Sequence, residues 1–423
     1  CGYNYDQTLS DYPISGCTNS GTVTGNNYVG GVCGYNSGTF TDCTNSGTVT
    51  GNNYVGGVCG YNESGTLSSC THNGNVTGNS DYVGGVCGYN SGTLENSTNE
   101  GNVKGYSDNV GGICGYSQGG TVQNCTNNGT AEISGSFVYY VGGICGQNNG
   151  GAIANCANSG AVTSSSSYAG GICGRNYQGT ITGCTNNGAV TAGGSYVGGI
   201  CGQNYSGTIE TSYNRGDVDG GGSAGGVCGE NSGGIQDCYN AGGIASGSSV
   251  GGVCGRNLGN IQSCYNAGGI TGGGFVGSVC GNNNHTITNC YWLDSTCTIG
   301  VGDGGGSATV KTAPQFASGE VTWLLNGSTS EGTLVWFQNL GEGGDDFPLL
   351  DNTHGVVYSL DGGYANEDHE HSYDEKGFCR FCGAYQPADL KDGVYQITTA
   401  GNLFWFAARV NGDGNIQNAA ANA

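Results

Sequence analysis

Val55-Gly56-Gly57-Val58-Cys59-Gly60-Tyr61-Asn62, followed by Gly65-Thr66-Leu67 and then by Cys70-Thr71-His72-Asn73-Gly74-Asn75-Val76, is one unit of a pattern that fills most of the chain. Its first cysteine recurs at Cys33, Cys59, Cys87, Cys114, Cys145, Cys173, Cys201, Cys228, Cys254 and Cys280, at intervals of 26 to 31 residues. A second column follows 10 or 11 residues later, at Cys43, Cys70, Ser97, Cys125, Cys156, Cys184, Ser212, Cys238, Cys264 and Cys290. Cys1 and Cys17 form an earlier, longer unit, which makes eleven. Helical repeats need ten or more residues of 3.6-periodic pattern per helix, and Gly/Asn punctuation every five or six residues forbids that. Each unit instead offers three short β-prone runs separated by Asn-Gly, Ser-Gly or Gly-Thr turn signals. One unit cannot bury a core, whereas stacked units can.

The fold predicted is therefore all-β: a parallel β-helix or solenoid of about eleven coils, right-handed by the crossover rule. Rungs about 4.8 Å apart give a rod on the order of 50 Å long. Stacking places Asn36, Asn62, Asn90, Asn176, Asn204, Asn231, Asn257 and Asn283 above one another as an internal amide ladder. One detail conflicts with a regular strand: adjacent Val58 and Cys59 cannot both point inward on it.

The unit V-G-G-[VI]-C-G-x-N…G-x-[IVL]…C-x-N-x-G-x-V resembles the GLUG motif of bacterial surface proteins, over about residues 1–291. The resemblance implies an extracellular location at the cell surface or cell wall and a structural or adhesive role. Such repeats also occur in IgA-cleaving surface metallopeptidases, where they are not the catalytic part. This chain has no HExxH, since His369-Glu370-His371 has the wrong spacing. Cysteine in two columns departs from the family pattern.

Composition narrows the function. The 423 residues include 90 glycines without a G-X-Y period, 4 prolines and no methionine, which excludes collagen and argues against a disordered linker. Nine basic residues against 31 acidic ones give a formal charge of −22, which disfavours nucleic acid and anionic membranes. No run of 18 apolar residues is present to span a bilayer. The chain opens at Cys1 inside a repeat, so its natural start is expected upstream.

The cysteines admit three readings. Extracellular cysteines suggest disulfides, yet Ser97 and Ser212 leave Cys87 and Cys201 without a partner in their own coil. Column-wise pairing fits in distance but is constrained in direction. The reading taken is cysteine as a small, oily filler of a tight interior, or disulfides in only some rungs, with an anaerobic host. A metal-binding thiolate wire is the alternative.

Two aromatic strips are candidate ligand surfaces for a host or bacterial surface protein or glycan. Tyr35, Tyr61, Tyr89 and Tyr116 follow the first column, and Tyr213, Tyr239, Tyr265 and Tyr291 follow the second. Either strip offers a flat stacking surface, or like-on-like stacking merely stabilises the rod. Ice binding needs regular Thr-x-Thr ladders, and these degenerate after Thr22/Thr24 and Thr48/Thr50. The best carboxylate pair for glycan hydrolysis is Asp217 with Asp219 near Arg215, more simply read as a solvated turn. No catalytic residue is assigned. The gly-rich loops lack the Gly-Lys-Ser/Thr of a phosphate site.

After Trp292 the pattern stops. Residues 292–360 read as a small mixed α/β cap, resembling the segment that commonly follows GLUG repeats in Gram-positive gut bacteria. It holds a helix over Phe316–Gly327 with Ser318 capping its start, and short strands at Leu334–Phe337, Phe347–Leu350 and Val356–Tyr358. Residues 361–388 form a zinc-knuckle-like module: His369, His371, Cys379 and Cys382 supply four ligands suited to a closed, structural tetrahedral Zn²⁺ site. A Cys379–Cys382 disulfide is the alternative. Residues 389–423 begin a further module, with a strand at Gly393–Ile397 and a helix whose apolar stripe is Leu403, Phe406, Ala407 and Val410. The functional expectation is a non-catalytic spacer or adhesive rod. The rivals are a glycan-binding or glycan-degrading β-helix and a filament subunit that self-associates end to end or side by side.

Overall fold

The computed structural model describes residues 2–4, 14–134, 139–165, 167–360, 363–366, 373–378, 385–391 and 393–411. The chain forms two compact units, Cys1–Val310 and Lys311–Ala423.

The first unit is a parallel β-solenoid. One coil runs through five short strands, Asn53–Gly56, Cys59–Asn62, Thr66–Ser68, Thr71–His72 and Val76–Gly78. Each pairs in parallel with its equivalent above and below, so that Cys59 faces both Cys33 and Cys87 and Leu67 faces both Phe40 and Leu94. The resulting five sheets have nine to twelve strands. The sheet holding the first cysteine column runs from Tyr3–Asn4 to Val301–Gly304, so stacking continues past the change in sequence at 292.

Five faces replace the three expected because glycine corners cut the longer runs. The corner at Gly57-Val58 also resolves the conflict over side-chain parity. Val58 sits in the bend, and its N–H and that of Cys59 both donate to the Val86 carbonyl, at 3.0 and 2.9 Å. The chain turns between the two residues, so both side chains enter the core fully buried. Gly57 is required there, since a Cβ would lie 2.0 Å from the Gly85 carbonyl and 2.3 Å from the His72 ring.

The interior has two apolar clusters. The larger is built from both cysteine columns, the Val/Ile preceding each first-column cysteine and the Leu/Ile/Phe column of the third face. The smaller is a column of Val55-like and Val76-like residues. Buried polar groups are held by ladders along the axis. Asn36, Asn62 and Asn90 bond in series at 2.8 and 2.7 Å. After Ser117 interrupts the column, Asn148, Asn176, Asn204, Asn231, Asn257 and Asn283 continue it at 2.8–2.9 Å. The expected set is thus extended by Asn148 and by Asn4, which donates to Asn36 Oδ1 at 2.7 Å.

A second ladder, not foreseen, lies two residues past the second cysteine column. It runs through Asn99, Asn127, Asn158, Asn186, Asn214, Asn240 and Asn266 at 2.8–2.9 Å. His72 occupies one of its rungs. Its Nδ1 lies 3.1 Å from Asn45 Nδ2, while its Nε2 and the next rung's Asn99 Oδ1 find no partner. Burial lowers the His72 pKa to about 4. The folded value lies below the unfolded one near 6.5, so stability is lost as pH falls from about 6.5 towards 4. This amounts to about 3 kcal/mol. His72→Asn should restore the rung and remove that component; denaturant unfolding at pH 7 and 4.5 checks it, and an unchanged pH dependence would refute the assignment.

In the second unit, α1 (Ala313–Ala317) is followed by α2 (Glu320–Leu325), so the single helix expected over Phe316–Gly327 is broken. Gly319, at φ 90°, causes the break, and Ser318 closes α1 instead of opening a helix. Gln315 Oε1 accepts the Thr312 N–H at the start of α1, at 3.0 Å. Phe337 and Leu349 form an isolated antiparallel bridge, and Val357–Leu360 pairs antiparallel with Gly363–Asn366. In α3 (Ala400–Asn411), among the described residues, the expected stripe reaches the buried cluster only through Phe406, which packs against Trp405. Leu403 is 55% exposed, whereas Asn402 and Trp405 are buried. Asn402 sets that face: Oδ1 accepts from the Thr398 and Thr399 N–H groups, and Nδ2 donates to the Gln386 and Pro387 carbonyls at 3.0 Å.

Candidate functional site

In Cys33–Asn36, Cys59–Asn62 and Cys87–Asn90 the cysteine, glycine and asparagine are buried and the third residue alone is half-exposed, a departure from regular strand alternation. This puts Tyr35, Tyr61, Tyr89 and Tyr116 in register on the surface. Their rings stack at centroid distances of 5.0, 4.5 and 5.3 Å, with planes 7°, 4° and 21° apart. One corner upstream lies a second row that sequence reasoning missed. Tyr28, Tyr54 and Tyr82 stack at 4.9 and 5.1 Å. The rows meet edge to face, Tyr28 on Tyr35 at 6.1 Å, Tyr54 on Tyr61 at 5.4 Å and Tyr82 on Tyr89 at 5.7 Å. The result is a rigid herringbone. Tyr28 is 46% exposed and Tyr35, Tyr54, Tyr61, Tyr82, Tyr89 and Tyr116 are half-buried, so both rows keep part of their surface in solvent.

The second row is held at a conformational cost. Tyr28, Tyr54, Tyr82 and Tyr140 have φ of 55°, 55°, 67° and 66°, and Asn109 takes the same position at 63°. The left-handed region costs a bulky L-residue about 1–2 kcal/mol, and a ring pair returns about 0.5–1.5 kcal/mol. Tyrosine therefore brings the rod little net stability at a corner where asparagine fits more easily. Burial, and then neighbouring tyrosines and carboxylates, raise the phenols of Tyr54 and Tyr82, which remain O–H donors at neutral pH.

Past Tyr116 the outward column changes to Gln147, Arg175, Gln203, Glu230 and Arg256. Arg175 lies over the rings of Tyr140, Tyr177 and Tyr205 at 5.0–5.5 Å. Glu230 accepts from Gln203 at 2.9 Å and pairs with Arg256 at 2.7 Å.

The second expected strip is not an open surface. Tyr213, Tyr239 and Tyr265 do stack, at 4.7 and 5.0 Å. Yet Tyr239, Tyr265 and Tyr291 are only 3%, 1% and 8% exposed. Arg215 covers Tyr213 at 4.8 Å and donates to the Tyr239 hydroxyl at 3.3 Å. The rings are consumed by one another and by Arg215, leaving no face for a sugar. Asp217 accepts the Gly243 N–H of the neighbouring coil at 2.9 Å, and Asp219 is exposed on its strand.

The cysteines described are free thiols, buried except for the half-buried Cys17 and Cys297. First-column thiols donate to the carbonyl two residues ahead, as Cys59 does to Tyr61 at 3.4 Å. Second-column thiols donate two residues back, as Cys125 does to Gln123 at 3.2 Å. Ser97 and Ser212 reproduce that bond at 2.8 Å, to Glu95 and Glu210. Their oxygens also accept the Cys70 and Cys184 N–H groups, as the Cys156 sulfur accepts that of Cys125. Serine is thus an isostere here, which explains the two exceptions. Burial pushes the Cys70 thiol up to about 12, so the reactive thiolate is disfavoured. A thiol reagent added to the native chain is expected to label Cys17 and Cys297 but not Cys173, which should react only after denaturation. Fast native labelling of Cys173 would contradict the packing.

Among the described residues, no group of three or more His, Cys, Asp or Glu is arranged to hold a metal ion. The zinc ligands expected at His369, His371, Cys379 and Cys382 lie outside the described residues. No helix among the described residues is long and apolar enough to cross a membrane.

Comparison with known proteins finds the GLUG motif at residues 25–50, 79–104, 106–132, 165–191 and 193–219. No curated protein matches the chain. A crystal structure described as "a putative immunoglobulin A1 protease from Bacteroides ovatus" is 17% identical, with 78% of this chain and 86% of that one covered and a TM-score of 0.29.

Proposed function

We propose that this chain, in which GLUG motifs recur along a β-solenoid, is a non-catalytic structural rod at the bacterial cell surface, a spacer that carries a binding face. The observation supporting this is the unbroken register of every face. A coil hydrogen-bonded to both neighbours and tied by two amide ladders transmits load along the axis, and its outward columns repeat at a fixed spacing. The outward tyrosines lie on that scaffold and not on a mobile loop, which suits a surface offered to a protein or glycan partner. The zinc-knuckle-like segment with His369, His371, Cys379 and Cys382 is proposed as a small structural module of the same protein. The location is testable on intact cells producing the full-length protein. Antibodies against the exposed Thr39 and Asn260 column should label unpermeabilised cells, and labelling confined to permeabilised cells would overturn the reading.

A further inference from the structure

The rod's own cations show what its tyrosine columns accept. Residues 1–291 contain four basic side chains, Lys104, Arg175, Arg215 and Arg256. Three lie over tyrosine rings: Lys104 over Tyr106 at 5.5 Å, Arg175 over three rings, and Arg215 over Tyr213 at 4.8 Å. The fourth is paired with Glu230. Over the herringbone the pattern differs. No lysine or arginine among the described residues lies over Tyr28, Tyr54, Tyr61, Tyr82, Tyr89 or Tyr116.

The same face is rimmed with carboxylates. Asp81 and Asp108 directly precede the Tyr82 and Asn109 corners. They are linked across coils, the Asp108 N–H donating to Asp81 Oδ1 at 3.2 Å. Glu63 is exposed at the other edge, one residue past Asn62. Residues 14–134 hold seven carboxylates against one lysine, and that lysine is already paired with Glu132 at 2.6 Å. Arg175 shows that stacked tyrosines still accept a cation, lying 5.0 and 5.5 Å from the stacked rings of Tyr177 and Tyr205, and a carboxylate beside such rings adds its charge to the attraction. It repels an acidic polymer. A second copy of this chain brings the same acidic rim and is disfavoured for the same reason.

We propose that the tyrosine face from Tyr28 to Tyr116 is the docking surface for a basic polypeptide partner, whose arginine and lysine side chains seat over the rings between the flanking carboxylates. The proposal rests on the reading of the rod as a displayed binding surface, but it is tested in solution, independently of where the protein resides.

The probe is a ten-residue peptide alternating arginine and serine, titrated into the whole chain. Net charge alone would attract such a peptide, so the deciding variant is Tyr61→Leu/Tyr89→Leu, which keeps the charge and most of the apolar area but removes the two central rings of the stack. Binding by the unaltered chain should weaken about tenfold in this variant, with circular dichroism unchanged. Asp81→Asn/Asp108→Asn, which keeps every ring, should weaken it comparably. The proposal is overturned by equal binding to the leucine variant, by no binding to the unaltered chain, by preference for a neutral β-glucan oligosaccharide over the peptide, or by self-association through this face in sedimentation.

Discussion

Gly171→Ala is expected to break the solenoid at its middle. A Cβ at this position would sit 2.1 Å from the Gly199 carbonyl and 2.2 Å from Asn186 Cγ. The first is backbone of the adjacent coil and the second is a rung of the amide ladder, so neither can withdraw without opening the stack. The cost should reach about 4 kcal/mol or more, at the upper end of single substitutions. Because coil stability is shared with nearest neighbours, hydrogen exchange should rise first in the coils around Cys173 and Cys201. Gly193→Ala supplies the control. Nothing lies within 4 Å of its added methyl group, and stability should change by no more than about 0.5 kcal/mol. Equal tolerance of both substitutions would show that the corners are not packed as described.

Asn186→Asp tests the ladder in the same region. Asn186 Oδ1 accepts from Asn158 at 2.8 Å, and its amide donates to Gly188 O and Asn214 Oδ1, each at 2.8 Å. Aspartate keeps the acceptor and turns the donor into an oxygen facing two other oxygens in a dry interior. An uncompensated buried charge costs about 3–5 kcal/mol, so burial should raise this carboxyl's pKa above its unfolded value near 3.9. The variant's stability is then greatest below about pH 4 and falls as pH rises through the folded value. Unfolding followed at pH 4 and pH 7 should show this opposite slope to the His72 effect. Because His72 imposes its own slope on every variant, the comparison is with the unaltered chain at each pH, and a stability difference that is the same at pH 4 and pH 7 would mean the site is wet.

How much of this was legible depended on whether the sequence repeats an identity or a geometry. Cysteine, asparagine and the Val-Gly-Gly corner repeat as identities, and from them the solenoid, its axial columns and the first amide ladder followed directly. Five faces and the inward pairing of Val58 with Cys59 depend on where the backbone bends, and a corner between two residues has no letter of its own. The second ladder was visible as the asparagine two places after Cys43, Cys125 and Cys156, but His72 disguised it in the unit taken as representative. Tyr28, Tyr54 and Tyr82 were readable as a column. Their functional interest lies in positive φ, which residue type does not reveal when tyrosine replaces the asparagine expected there. The Tyr213 column aligned as read, but stacking and Arg215 closed it, and alignment alone does not report burial. Past the solenoid each element occurs once, so one residue misleads more easily: Gly319 split a helix, and Asn402 turned α3 so that Trp405 faces inward.

The central claim is that equivalent residues of successive coils lie one above another at a constant rise. Thr39, Thr180 and Asn260 share one exposed column, with five coil steps from Thr39 to Thr180 and three more to Asn260. Paramagnetic labels introduced there by cysteine-independent chemistry, and measured in pairs by dipolar spectroscopy, should lie about 24 Å apart for the first pair and about 38 Å for Thr39 with Asn260. Distances that grow in proportion to the number of coils are the predicted result. Distances that do not, or that scatter broadly, would contradict the stacked solenoid and everything built on its columns.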